Sequence, residues 1–152
     1  MSHTDDLLRT RDVFDEHGVE YMFIGKGAAV IQGFSDANQN VEVCPLNDPE
    51  NNRRLASALR ALGFELSDDL KAEVTHGKDF IQLRGPFDLD LVFAPDGFES
   101  YNDAKKYKLV HEGCPVMSIE GILHTKKASG RIKDRESLVR LQSFKEYLDA
   151  KE

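Results

Sequence analysis

Apolar residues recur along this chain at two spacings, and each change of spacing marks a new element. Between positions 87 and 93 they alternate strictly. Phe87, Leu89, Leu91 and Phe93 share one parity, and Asp88, Asp90 and Val92 share the other. That is a strand with one apolar and one acidic face. Val41 and Val43 alternate in the same way with Asn40 and Glu42, which predicts a second such strand within 38–45, Asn-Gln-Asn-Val-Glu-Val-Cys-Pro. Helical spacing appears in Leu55, Ala58, Leu59 and Leu62, behind Asp48-Pro49-Glu50, an N-cap with proline at N1 and an acid in the first turn. Gly63 ends that helix.

The same reading orders the rest. A first helix runs from a Thr4 cap to about His17 and stops at Gly18; a strand follows around EYMFI. Gly25-Lys26-Gly27 leads into a small-residue helix, AAVIQ, ending at Gly33. Two or three strands are expected around FEL, KAEVTH and DFIQLR, then a short helix over FESYNDA and a hairpin from KLVHEG and CPVMS. Ser118 caps a helix closed by Gly130, and Asp134 caps a last helix carrying Leu138, Leu141, Phe144 and Leu148. No repeat or linker interrupts the pattern, so one α/β domain over residues 1–152 is expected.

Composition narrows the function. A length of 152 residues suits one domain, and the net charge of −7 argues against a broad nucleic-acid or anionic-membrane surface. No apolar run approaches the roughly 20 residues that span a bilayer. The acidic N-terminus does not look like a signal peptide, so a cytoplasmic location is expected. Cys44 and Cys114 lack metal spacing, and the five histidines form no HxH or HxxxH pair.

Three features carry candidate chemistry. Gly25, Lys26 and Gly27 at a strand-to-helix turn can present backbone N–H groups to a phosphate, although a tight turn alone would look the same. Asp88 and Asp90, with Asn40 and Glu42, would converge if their strands are neighbours. Oxygen ligands of that kind hold Mg²⁺, which takes one or two carboxylates plus substrate phosphates; a wet edge strand is the simpler alternative. In the helix from Ser118 the stripe Ile119, Ile122, Leu123 runs on to Lys126 and Lys127, followed by Arg131 and Lys133. These cations can reach a phosphate, or merely suit the C-terminal end of a helix dipole.

Taken in order, IGKGAAVIQGFSDANQNVEV, DLDLVFAPDGFESY and SIEGILHTKKASGRIKDRESLVRL resemble the nucleotidyltransferase superfamily, in particular its small minimal, toxin-like branch. The resemblance spans roughly residues 20 to 142. It implies a nucleotidyltransferase-like mixed β-sheet flanked by α-helices, Mg²⁺ as cofactor, and Asp90 as the later-strand carboxylate with Asp88 beside it. Glu42 and Asp90 become the expected metal ligands. Gly25, Lys26, Gly27, Lys126 and Lys133 become the expected nucleotide-phosphate contacts. The metal-binding Asp-x-Asp of the family is here Asn40 and Glu42. An amide brings no charge, and a glutamate sets its carboxylate one methylene further out; misplacement of order 1 Å can cost about 100-fold in rate. Three readings follow. The chain is an impaired homologue (a pseudoenzyme) that binds a nucleotide, a metal or a protein partner. Alternatively it is a working Mg-dependent enzyme that moves NMP from NTP to an RNA, protein or small-molecule hydroxyl. In the third it is a non-enzymatic module such as a toxin–antitoxin component. Magnesium binding is expected to be weak or nucleotide-dependent.

Overall fold

The computed structural model describes residues 3–36 and 40–151, with the side chains of all but His3, Thr4 and Lys133. The expected cap at Thr4, the expected phosphate contact at Lys133 and the start of the 38–45 stretch therefore lie outside what is described. Helix α1 (His3–Glu16) leads into β1 (Tyr21–Phe23), α2 (Gly25–Ile31) and β2 (Val41–Pro45). Then come α3 (Pro49–Ala61), α4 (Asp68–His76), β3 (Phe80–Leu83) and β4 (Leu89–Val92). After α5 (Tyr101–Ala104) the chain forms the hairpin β5 (Lys108–His111) and β6 (Cys114–Met117), and it ends in α6 (Ile119–Ser129) and α7 (Ile132–Lys151).

The six strands form one mixed sheet in the order β3-β4-β2-β1-β6-β5. β2 and β4 run parallel as neighbours, with Val41 opposite Leu89, Glu42 opposite Asp90 and Val43 opposite Leu91. β3 pairs antiparallel on the outer side of β4. The apolar parity of these strands faces the core: Val41, Val43, Ile81, Leu83, Leu89 and Leu91 are all buried. Helix α1 packs against α3 and β2, α2 against β2, β6 and α6, and α6 against α7. The buried side chains form one contiguous cluster.

Local signals explain most boundaries. Asp48 accepts a hydrogen bond from the Asn51 amide and starts α3, whose stripe Leu55, Ala58, Leu59 and Leu62 is wholly buried. Ser118 caps α6 through the Gly121 amide, and Gly130 closes it in the left-handed region.

Three sequence expectations are corrected. KAEVTH is helix rather than strand: Ser67 caps the Leu70 amide, Asp68 and Asp69 fill the first turn, and Gly77 (φ +71°) ends α4. The caps outweigh the β-branched Val74 and Thr75. FEL forms no strand; Phe64 instead packs edge-on to Phe87 at 5.1 Å. Asp134 does not cap α7, which already begins at Ile132. Its carboxylate is taken by the side chains of Lys126, Ser129 and Arg131.

Candidate active site

The polar parity of three strands builds the floor of a cleft. Gln82 on β3 stands opposite Asp90 on β4, and Asp90 stands opposite Glu42 on β2, so the three form one row across the sheet. The cleft above them has a volume of about 700 Å³. Asn40, Glu42 and Asp90 lie on its floor, Phe80 and Gln82 on one wall, and Thr125 and Arg131 on the other. A small side cavity of about 50 Å³ continues from Glu42 and Arg131 past Gly25 to Lys126 and Asp134.

Asp90 is the best-buried carboxylate of the floor, its side chain 9% exposed. The Asn40 amide donates to its Oδ2 at 3.1 Å. Its Oδ1 is buried and accepts no hydrogen bond from the described residues. An Arg84 guanidinium nitrogen lies 3.7 Å from that oxygen, close enough for attraction but too far for a hydrogen bond. Arg84 also leans toward Asp88 at 3.5 Å. Asp88 itself is half-exposed at the strand's entrance and does not line the cleft as Asp90 does.

Glu42 reaches the first turn of α2. A Cβ placed on Gly25, whose φ is +68°, would come within 2.6 Å of Glu42 Oε1. The left-handed backbone favours glycine there, and any side chain would also have to push the Glu42 carboxylate aside. The extra methylene of Glu42 thus carries its carboxylate over the turn where the family resemblance puts a substrate phosphate. Gly27 is buried inside α2. Lys26 turns away to Asp36, at 3.4 Å, where Arg140 also points.

Lys126 is anchored rather than loose. Its ammonium donates to Asp134 at 2.9 Å, and the pair is largely buried. Burial alone would raise the Asp134 pKa. Hydrogen bonds from Ser129, Lys126 and Arg131 outweigh it and hold the carboxyl well below the usual carboxylate range. Arg131 spans the cleft mouth, bound to Asp134 at 2.9 Å and 3.6 Å from Asp96.

Of the residues expected from sequence, the structure brings Asn40, Glu42 and Asp90 together, with Gly25 and Lys126 in the adjoining cavity. It does not bring in Lys26 or Gly27. Sequence reasoning passed over Phe80, Gln82 and Arg84, although they share one parity in DFIQLR. Arg131 was noted there only as part of a basic run.

The donor set bears on magnesium. Among the described residues no group of three or more His, Cys, Asp and Glu could hold a metal. Two carboxylates in register, one with a buried oxygen that accepts no hydrogen bond from the described residues, fit an ion that completes its shell with other oxygens and water. They do not make an all-protein cage.

The mixed sheet flanked by helices is a nucleotidyltransferase-like fold. A crystal structure of a protein described as a "putative nucleotidyltransferase" from Thermotoga maritima superposes with a TM-score of 0.57 at 18% identity. The match covers 94% of this chain and 96% of that one. No family model matches the chain, and no curated protein matches it significantly. Among the described residues no helix is long and apolar enough to cross a membrane.

Proposed function

We propose that this chain is a nucleotidyltransferase-fold protein that binds a nucleoside triphosphate with magnesium and turns it over poorly or not at all. The observation that carries the reading is the Asn40–Asp90 hydrogen bond. An amide that donates to the central carboxylate stands where the family resemblance calls for a second anionic ligand. Nucleotidyl transfer depends almost wholly on positioning and on neutralising phosphate charge. Magnesium, when bound, supplies that neutralisation. Glu42 and Asp90 would hold it, and Arg131 would face the phosphates. With the amide at position 40 and the longer arm at 42, the ligand set is one charge short and about 1 Å out of place, a displacement that can cost about 100-fold.

One observation favours the alternative of a working enzyme. Glu42 and Asp90 are still in register on adjacent strands, with one Asp90 oxygen that accepts no hydrogen bond from the described residues. Calorimetric titration of each NTP with magnesium, run beside a pyrophosphate-release assay, separates the two. Binding without release is expected; steady release at enzyme-like rates would establish the working enzyme. Absence of any NTP binding would overturn both.

A further inference from the structure

Phe80 is 48% exposed, and it is the first residue of the edge strand β3. Ile81 and Leu83, of the other parity, are buried in the core. Phe80 and Gln82 therefore face the cleft, opposite Val92 and Asp90 on β4. A lone exposed apolar side chain is ordinary on a protein surface. Here it forms part of the wall of the largest cleft described, and no other aromatic ring among the described residues stacks on it.

Gln82 follows on the same face, about 7 Å further along the strand. Its side chain is exposed and makes no hydrogen bond to described protein groups, so it offers a free donor and a free acceptor side by side. The wall thus presents a flat apolar face and, next to it, an amide fork. The opposite wall presents Arg131. A molecule that matches both walls has a planar ring edged with a donor and an acceptor at one end and negative charge at the other.

We propose that Phe80 and Gln82 form a nucleobase platform, with a purine stacked on the Phe80 ring, its donor–acceptor edge on the Gln82 amide, and its phosphates directed toward Arg131. The proposal rests on the nucleotide-binding reading above and deepens it. Stacking on an aromatic side chain works for any base, because every base has a π-face, and the larger purine covers more of the ring. A glutamine amide pairs bidentately with a donor–acceptor edge such as that of adenine. The cleft volume lies within the range of about 300–1,000 Å³ typical of small-molecule sites. Among the described residues no strand lies on the outer side of β3 to cover Phe80.

The test compares ATP, GTP, CTP, UTP and inorganic tripolyphosphate, each with magnesium, on the full chain. The parent protein should bind purine triphosphates more tightly than pyrimidine ones, and all four more tightly than tripolyphosphate. Phe80→Ala should weaken ATP binding by about tenfold or more and leave tripolyphosphate unchanged. Phe80→Trp should restore it. Gln82→Ala should narrow the differences among the four bases. Because Phe80 is half out of the core, the melting temperature of each variant should stay near the parent's, which checks the fold directly. Equal loss of ATP and tripolyphosphate in Phe80→Ala, or no loss at all, would overturn the platform. So would a parent that binds ATP and tripolyphosphate alike, although the phosphate half of the nucleotide reading would then survive. A parent that binds none of the five overturns the nucleotide reading and the platform with it.

Discussion

At the scale of single residues the site turns on positions 40 and 42. Parity made Asn40 and Glu42 legible as one face of a strand and Asp88 and Asp90 as another, since strand alternation survives any tertiary context that buries the other face. What parity does not tell is length of reach. That Glu42 lies over Gly25 depends on a left-handed backbone and a shared corner between β2 and α2, neither visible in sequence. Arg84 was hidden for a related reason: its contact with Asp90 runs between neighbouring strands. A repair experiment tests the floor directly. Asn40→Asp removes the amide donor and puts a second carboxylate about 3 Å from Asp90. Losing a hydrogen bond to a charged group costs about 1.5–3 kcal/mol, and like-charge repulsion adds to it. The double variant Asn40→Asp, Glu42→Asp should therefore melt below the parent in chelator. With magnesium and NTP it should gain more than the parent does, because metal binding relieves the repulsion in the folded state. In the proposed site the two substitutions would act on one ion, so their effects should not add. A double variant that melts like the parent and ignores magnesium would show that these residues hold no metal.

At the scale of elements, caps decided the outcome more often than apolar spacing. Ser118 and Gly130 bound α6 as their residue types suggest, and Asp48-Pro49 opens α3. KAEVTH reads as a strand in sequence because the only buried residue of α4 is Val74, too few for a helical stripe to stand out. Asp134 reads as a cap in sequence because a cap and a buried counter-ion use the same residue type. Its real role is to tie α6 to α7 by holding Lys126 and Arg131. Removing one partner of a buried pair leaves the other charge uncompensated, at about 3–5 kcal/mol. Asp134→Asn should cost stability of that order, measured by denaturant unfolding near neutral pH. The pH dependence has a fixed sign. A folded-state pKa held below the ordinary value of 3.8 contributes stability that is complete above that value and is lost as the pH falls below it. The parent should thus weaken on acidification through this range more steeply than Asp134→Asn. Parallel acid limbs for the two proteins would show that the carboxylate is not held down by its partners.

At the scale of the whole molecule, charge would set the terms of the proposed nucleotide binding. The chain carries a net charge of −7, and the cleft repeats that bias, with Glu42, Asp79, Asp90 and Asp96 on its lining and Arg131 as its cation. Lys126 and Arg131 share the single charge of Asp134, so the two cations together carry little uncompensated charge into the cleft. A free triphosphate would enter against several like charges, in a cleft whose low-dielectric walls strengthen their repulsion. Magnesium, if bound, would lower the charge of the triphosphate, and Glu42 and Asp90 are the residues that would hold it. Alone, the ion would meet two carboxylates, one of them already hydrogen-bonded by Asn40. Neither ligand should therefore stabilise the fold much by itself. NTP in chelator should leave the melting temperature nearly unchanged, and magnesium alone should raise it slightly. Together, at about one hundred times the dissociation constant, they should add about 2.7 kcal/mol, roughly 5–10 °C for a chain of this length. The combined shift should exceed the sum of the separate ones. An NTP shift of equal size in chelator and in magnesium would mean that the protein's cations carry the phosphates unaided and that the acidic floor serves some other ligand.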